Sequence, residues 1–117
     1  ELVYLRVSLL NGCQYCAQHH VSSSKKAGLG AEDWSALEAE ELSRFGREEQ
    51  IALRYAEKLT KAPASVTEED VAELKQHFRE QQVVDLHLLI GLANLTNRFT
   101  GPLGLELEFD PLRPPLR

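Results

Sequence analysis

The sequence predicts an all-α, single-domain bundle of six helices. Three observations lead there. Apolar residues recur at helical spacing in almost every segment. Those segments are separated by residues that break or cap helices: Asn11-Gly12, Gly28-Leu29-Gly30, Phe45-Gly46 and Pro63. No segment alternates apolar and polar residues with the period of a strand. The chain's 117 residues make one domain with a modest core.

The first helix covers residues 1–10. Leu2, Leu5 and Leu9 share one face, and Val3, Val7 and Leu10 lie on the adjoining one. So wide an apolar surface predicts burial on several sides. Asn11-Gly12 ends it, and Asn11 suits the N-cap of the next helix. That helix runs from about Cys13 to Ala27, where the glycines stop it. Residues 31–43 form the third, with Trp34, Leu37 and Leu42 inward. Residues 47–61 form the fourth, with Ile51, Leu53, Tyr55, Ala56 and Leu59 inward, and Pro63 closes it. Thr67 caps the fifth, paired with Asp70 in a capping box, and Val71, Leu74 and Phe78 make its stripe. The sixth, Val83 to Phe99, is the most apolar. It reads either as the central core helix or as one that also lines a subunit interface. The domain therefore covers residues 1–100, and 101–117, with four prolines, is an irregular tail. The chain opens inside an apolar pattern at Glu1-Leu2-Val3 and contains no methionine, so an N-terminal segment is expected to precede it.

Charged residues are 26% of the chain and the net charge is −5, which disfavours nucleic-acid binding. No apolar run approaches the ~18–20 residues of a membrane span. No secretory signal pattern is present. Two cysteines in a close CxxC point to a redox or metal pair in a reducing, cytoplasmic setting.

The chemistry concentrates in Cys13-Gln14-Tyr15-Cys16-Ala17-Gln18-His19-His20. Two thiols at this spacing can close a disulfide on a helix's first turn. On a helix Cys13, Cys16 and His20 fall within roughly 60° of each other, whereas His19 points about 100° from His20. Unpaired N–H groups, the positive end of the helix dipole and a nearby imidazole would all favour a thiolate. A thiolate there suits attack on a peroxide or on another disulfide, and the second thiol would capture a sulfenic acid. Zinc at Cys13, Cys16 and His20 would need a carboxylate as fourth ligand, since there is no second CxxC and no HxxxH. Haem attachment is excluded because Ala17 follows Cys16. Two buried, inert cysteines are the plain alternative. Elsewhere, His19 is read as facing solvent or a neighbouring subunit, His77 as a surface residue and His87 as a satisfied buried or interface histidine. Glu38-Ala39-Glu40-Glu41 is a solvated face. Asn94, Asn97 and Arg98 are structural hydrogen-bonding groups.

The run Leu5-Arg6-Val7-Ser8-Leu9-Leu10-Asn11-Gly12-Cys13-Gln14-Tyr15-Cys16, with His20 after it, resembles the alkylhydroperoxidase D-like, carboxymuconolactone decarboxylase superfamily. Its pattern is a glutamate about twelve residues before a CxxC, then a histidine four residues after the second cysteine. Glu1, Cys13, Cys16 and His20 occupy those positions. Phe45 to Leu53 resembles the family's F-x-x-x-E-x-x-x-L helix entry, and Asn94 to Phe99 its N-x-x-N-R ending.

The resemblance implies an all-helical subunit in homo-oligomers, commonly trimers or hexamers, and a peroxidase mechanism without a bound cofactor or metal. Cys16 would be the peroxidatic cysteine, Cys13 the resolving cysteine and proton donor, and Glu1 with His20 the proton relay. An external dithiol, such as a lipoyl group on a carrier protein, would reduce the resulting disulfide. Two departures stand out. Tyr15 occupies the place where the best-known peroxidases carry a histidine, and this chain is one helical module where those enzymes carry a second, related one. The decarboxylase branch generally lacks the CxxC, so both thiols argue against lactone decarboxylation.

Overall fold

The computed structural model describes residues 1–108. Six α-helices follow one another: α1 Leu2–Leu10, α2 Gln14–Lys26, α3 Ala31–Ala39, α4 Arg47–Lys61, α5 Glu68–His77 and α6 Glu80–Leu103. Short 3₁₀ turns lie at Leu42–Arg44 and Pro63–Ser65. Among the described residues there is no strand, as the missing period-two pattern predicts. No helix among them is long and apolar enough to cross a membrane.

The central helix is α1, which packs against α2, α3, α4 and α6. Leu5 and Val7 lie about 200° apart around its axis. Each enters a different core. Val7 joins Ile51, Tyr55, Ala56, Leu74, Val83, Ile90 and Ala93. Leu5 joins Ala17, Val21, Ala36, Leu37, Phe45 and Leu53. The wide apolar surface read from the sequence is thus buried on both sides.

Helix α6 is not the central helix. It buries Val83, Ile90, Ala93 and Asn97. Val84, Leu88, Leu92, Leu95, Phe99 and Leu103 are exposed, Leu88 to 67% and Leu95 to 64%. At 100° per residue these six lie within about 100° of one another, roughly opposite the buried set. The helix also runs past Phe99 and ends where Gly104 turns left-handed, at φ 65°. Pro102 is tolerated because it lies in the last turn, where it removes one N–H bond from the end of the ladder. Residues 109–117, the rest of the expected tail, lie outside the described residues.

Two other boundaries differ from the sequence reading. Helix α3 stops at Ala39 because Glu40 turns left-handed, at φ 63°. Arg6, buried in α1, pulls that end in by donating to the Leu37 carbonyl and the Glu40 carboxylate, both at 2.8 Å. Asn11 does not cap α2. It closes α1 and sends its amide to Asn94 Oδ1 at 3.0 Å and Asn97 Oδ1 at 2.9 Å. Asn97 in turn donates to Ser8 Oγ at 3.1 Å. These bonds pin the end of α6 to the turn between α1 and α2, which is the structural role expected of the two asparagines. The Thr67–Asp70 capping box forms as read, with Asp70 N–H donating to Thr67 Oγ1 and Thr67 N–H to Asp70 Oδ2.

Candidate active site: a dithiol between three helix ends

The site lies where the start of α2, the start of α1 and the end of α6 meet. Gly12, at φ 66°, lets the chain reverse between α1 and α2. The Cys13 N–H reaches back to the Ser8 carbonyl at 3.1 Å, fixing Cys13 at the head of α2. Cys13 rather than Asn11 is the N-cap, its sulfur accepting the Cys16 N–H at 3.3 Å. Cys13 and Cys16 are joined as a disulfide, with their Cα atoms 5.3 Å apart. Both are buried, 1% and 4% exposed.

His20 sits one turn beyond Cys16 on α2. Its Nδ1 is 3.1 Å from Glu1 Oε2. An ionised carboxylate only accepts, so Nδ1 carries the proton and Nε2 keeps the lone pair of a base. Burial pushes the imidazole below its usual value, and the Glu1 hydrogen bond and charge act against that shift. His20 is therefore neutral near pH 7, as a base must be. The four residues singled out by the sequence thus come together as two pairs, Cys13 with Cys16 and Glu1 with His20.

Two further groups complete the site. The Tyr4 ring stacks on His20 with centroids 3.7 Å apart and planes 24° from parallel. Its hydroxyl is hydrogen-bonded to Thr96 Oγ1 on α6. One turn later on α6, Thr100 Oγ1 lies 2.9 Å from Cys16 Sγ and 3.3 Å from Cys13 Sγ. The sequence reading passed over Tyr4, Thr96 and Thr100. The i, i+4 repeat of threonines at the end of α6 is a signal, but its meaning depends on the long-range contact.

A cavity of about 530 Å³ opens beside the dithiol, lined among others by Cys13, Tyr15, Arg98, Thr100 and Gly101. Tyr15 is half-buried and stacks with the exposed His19, their planes 8° from parallel. His87 lies away from the site and is satisfied by the Tyr55 hydroxyl at 2.6 Å and the Val83 carbonyl at 2.7 Å. His77 is half-buried rather than fully at the surface. Among the described residues, no group of three or more His, Cys, Asp or Glu is placed to hold a metal ion.

The family model for the carboxymuconolactone decarboxylase family matches residues 1–58, which include all of Glu1, Cys13, Cys16 and His20. The chain is 35% identical over 106 residues to the uncharacterized protein YdfG of Bacillus subtilis (strain 168), covering 89% of this chain and 72% of that protein. It is 31% identical over 115 residues to the uncharacterized protein YnjA of Escherichia coli (strain K12), of which it spans 60%. A crystal structure from Agrobacterium tumefaciens superimposes with a TM-score of 0.84 at 25% identity, covering 93% of this chain and 76% of that one. That protein is of unknown function, with a provisional description as an antioxidant defence protein, AhpD. An uncharacterized peroxidase-related protein from Silicibacter sp. TM1040 superimposes with a TM-score of 0.83 at 22% identity, and the chain covers 56% of it. This last likeness concerns the fold alone.

Proposed function

The chain belongs to the carboxymuconolactone decarboxylase family, and from that premise we propose that it is a dithiol-dependent hydroperoxidase with an antioxidant role. The observation that carries the reading is a Cys13–Cys16 disulfide at the head of α2 with a neutral His20, held by Glu1, one turn further along the same helix. In the reduced protein, His20 Nε2 accepts the Cys16 thiol proton. The Cys16 thiolate attacks the peroxide, so an S–O bond forms, the O–O bond breaks and the alcohol leaves with a proton. The Cys13 thiol then attacks the Cys16 sulfenic acid, forming the disulfide and releasing water. An external dithiol, a lipoyl carrier among the candidates, reduces that disulfide and is itself oxidised. No metal or cofactor enters any step. The need for a reducing partner fits a cytoplasmic enzyme.

The subunit is proposed to act as a homo-oligomer, a trimer or hexamer, with the outward apolar stripe of α6 as its contact face.

A second reading is a thiol–disulfide oxidoreductase that turns over peroxide poorly. It is favoured by the environment of Cys13, which takes the helix N–H and borders the cavity. In that reading Cys13 is the nucleophile. The two readings separate on the cysteine variants. The peroxidase reading expects Cys16→Ser to abolish consumption of an organic hydroperoxide, by at least about 10³-fold, because the attacking sulfur is gone. Cys13→Ser should instead accumulate a Cys16 sulfenic acid detectable by dimedone labelling. Peroxide consumption surviving in Cys16→Ser, with disulfide exchange lost in Cys13→Ser, would establish the second reading.

A further inference from the structure

We propose that Thr100 is a catalytic residue whose hydroxyl stabilises the Cys16 thiolate, a role that rests on Cys16 being the attacking sulfur. The two sulfurs have different hydrogen-bonding surroundings. Cys13, at the N-cap, takes a backbone donor, the Cys16 N–H at 3.3 Å, and has Thr100 Oγ1 as a longer neighbour, also at 3.3 Å. Cys16 is the third residue of α2, where its own N–H serves Cys13. The side chain that meets its sulfur is the Thr100 hydroxyl, at 2.9 Å.

A hydroxyl has one proton to give. In the oxidised protein Thr100 Oγ1 gives it to the Thr96 carbonyl, 2.8 Å away. That is the expected choice, because a disulfide sulfur is a weak acceptor and a carbonyl a good one. Reduction changes the competition. A thiolate is a charged acceptor, and hydrogen bonds to charged acceptors are about twice as strong as neutral ones. The Thr100 proton then swings from Thr96 O to Cys16 Sγ by rotation about the Cβ–Oγ1 bond, with no movement of the threonine's own heavy atoms. The thiol proton itself goes to His20, and Thr100 loses none.

Position supports the assignment. Thr100 is held at the sulfurs by the anchoring of α6 through Asn97 to Ser8 and Asn11, so its placement does not depend on the bond to sulfur. The other titratable or charged groups around the dithiol are Cys13 at the head of α2, Tyr15, His19 and His20 on α2, Glu1 and Tyr4 at the start of α1, and Arg98 on α6. Of these, Cys13 also meets Thr100 Oγ1, at 3.3 Å, and a Cys13→Ser background removes its thiol.

The test is the rate of Cys16 alkylation by iodoacetamide as a function of pH, followed by mass spectrometry in reduced protein. Only the thiolate reacts, so the midpoint reports the Cys16 pKa. A Cys13→Ser background isolates Cys16 and keeps a capping oxygen at the head of α2. Thr100→Val, nearly isosteric, is expected to raise the midpoint by about one unit, a tenfold loss of thiolate below it. Thr100→Ser is expected to keep the original midpoint. Circular dichroism checks the fold, and Thr100→Ala replaces the valine variant if that one does not fold. An unchanged midpoint in the variant lacking the hydroxyl overturns the proposal, as does an equal rise in Thr100→Ser. No peroxide is present in this assay, so a protein that shows the shift but consumes no peroxide in a separate one refutes the peroxidase reading and leaves the bond from Thr100 to the Cys16 thiolate standing.

Discussion

The two faces of α6 are built from similar residues and do opposite things. The inner face carries Val83, Ile90 and Ala93 into the core and then, over the last turns, Asn97 and Thr100 to the head of α2. The outer face carries Val84, Leu88, Leu92, Leu95, Phe99 and Leu103 and is left largely exposed in the described subunit. Apolar composition alone does not say which face a neighbour will cover. What decides it is where the shorter helices reach, and α1, α2, α4 and α5, which pack against α6, leave this face exposed. One face therefore belongs to the subunit and its site, and the other is the face through which we propose that subunits meet.

The sharpest break in this comparison is a cavity on the inner face. Ile90→Ala removes a side chain that is 1% exposed and should cost about 2–5 kcal/mol, read as a lower midpoint in urea unfolding. A loss below about 1 kcal/mol would mean the inner face is not the tightly packed one. On the outer face the pair Leu92→Lys and Leu95→Lys should change the stability of an isolated subunit by no more than about 0.5 kcal/mol per site. The same pair should dissociate the assembly, read as a fall in sedimenting mass. An unchanged mass removes α6 from the proposed interface. The smallest expected effect concerns protons. If peroxide consumption needs neutral His20, its acid limb lies below pH 6.5, because burial holds the folded pKa under that value. Glu1 opposes the depression, so Glu1→Gln should move the limb to still lower pH and reduce the plateau rate, since a less basic imidazole is a weaker base. The lysine pair, on the face turned away, should leave the limb in place.

The same contrast separates what was legible in the sequence from what was not. Helix number, the Thr67 cap and the core positions of α4 follow from local spacing, and local spacing survives folding. Cys13, Cys16 and His20 were legible for the same reason, since their geometry is set within two turns of one helix. Glu1 was visible only through the family pattern. Its contact with His20 depends on how α1 lies against α2, and no local period carries that. Thr100 was missed outright. It stands 84 positions from Cys16 and reads locally as a polar residue near a helix end. The sequence left α6 open between a central helix and one lining an interface, and that openness has a physical cause too. The sequence shows how much of α6 is apolar, and the spacing 84, 88, 92, 95, 99 even marks a separate stripe. It does not show that five shorter helices are too few to cover both sides. Asn11 was misread as a cap for α2 because its side chain suits one, yet two asparagines on α6 claim that side chain first.

Cys13 gives the first turn of α2 an unusual end. A helix is normally started by an oxygen whose chemistry never changes during function. Here the starting atom is a sulfur that gains and loses a covalent bond in every proposed turnover. The energy of winding that turn then differs between the oxidised and reduced protein, and by thermodynamic linkage the difference is carried into the couple's reduction potential. Residues that tighten or loosen the start of α2, Gly12 and Ser8 among them, would thereby tune the voltage of the proposed couple.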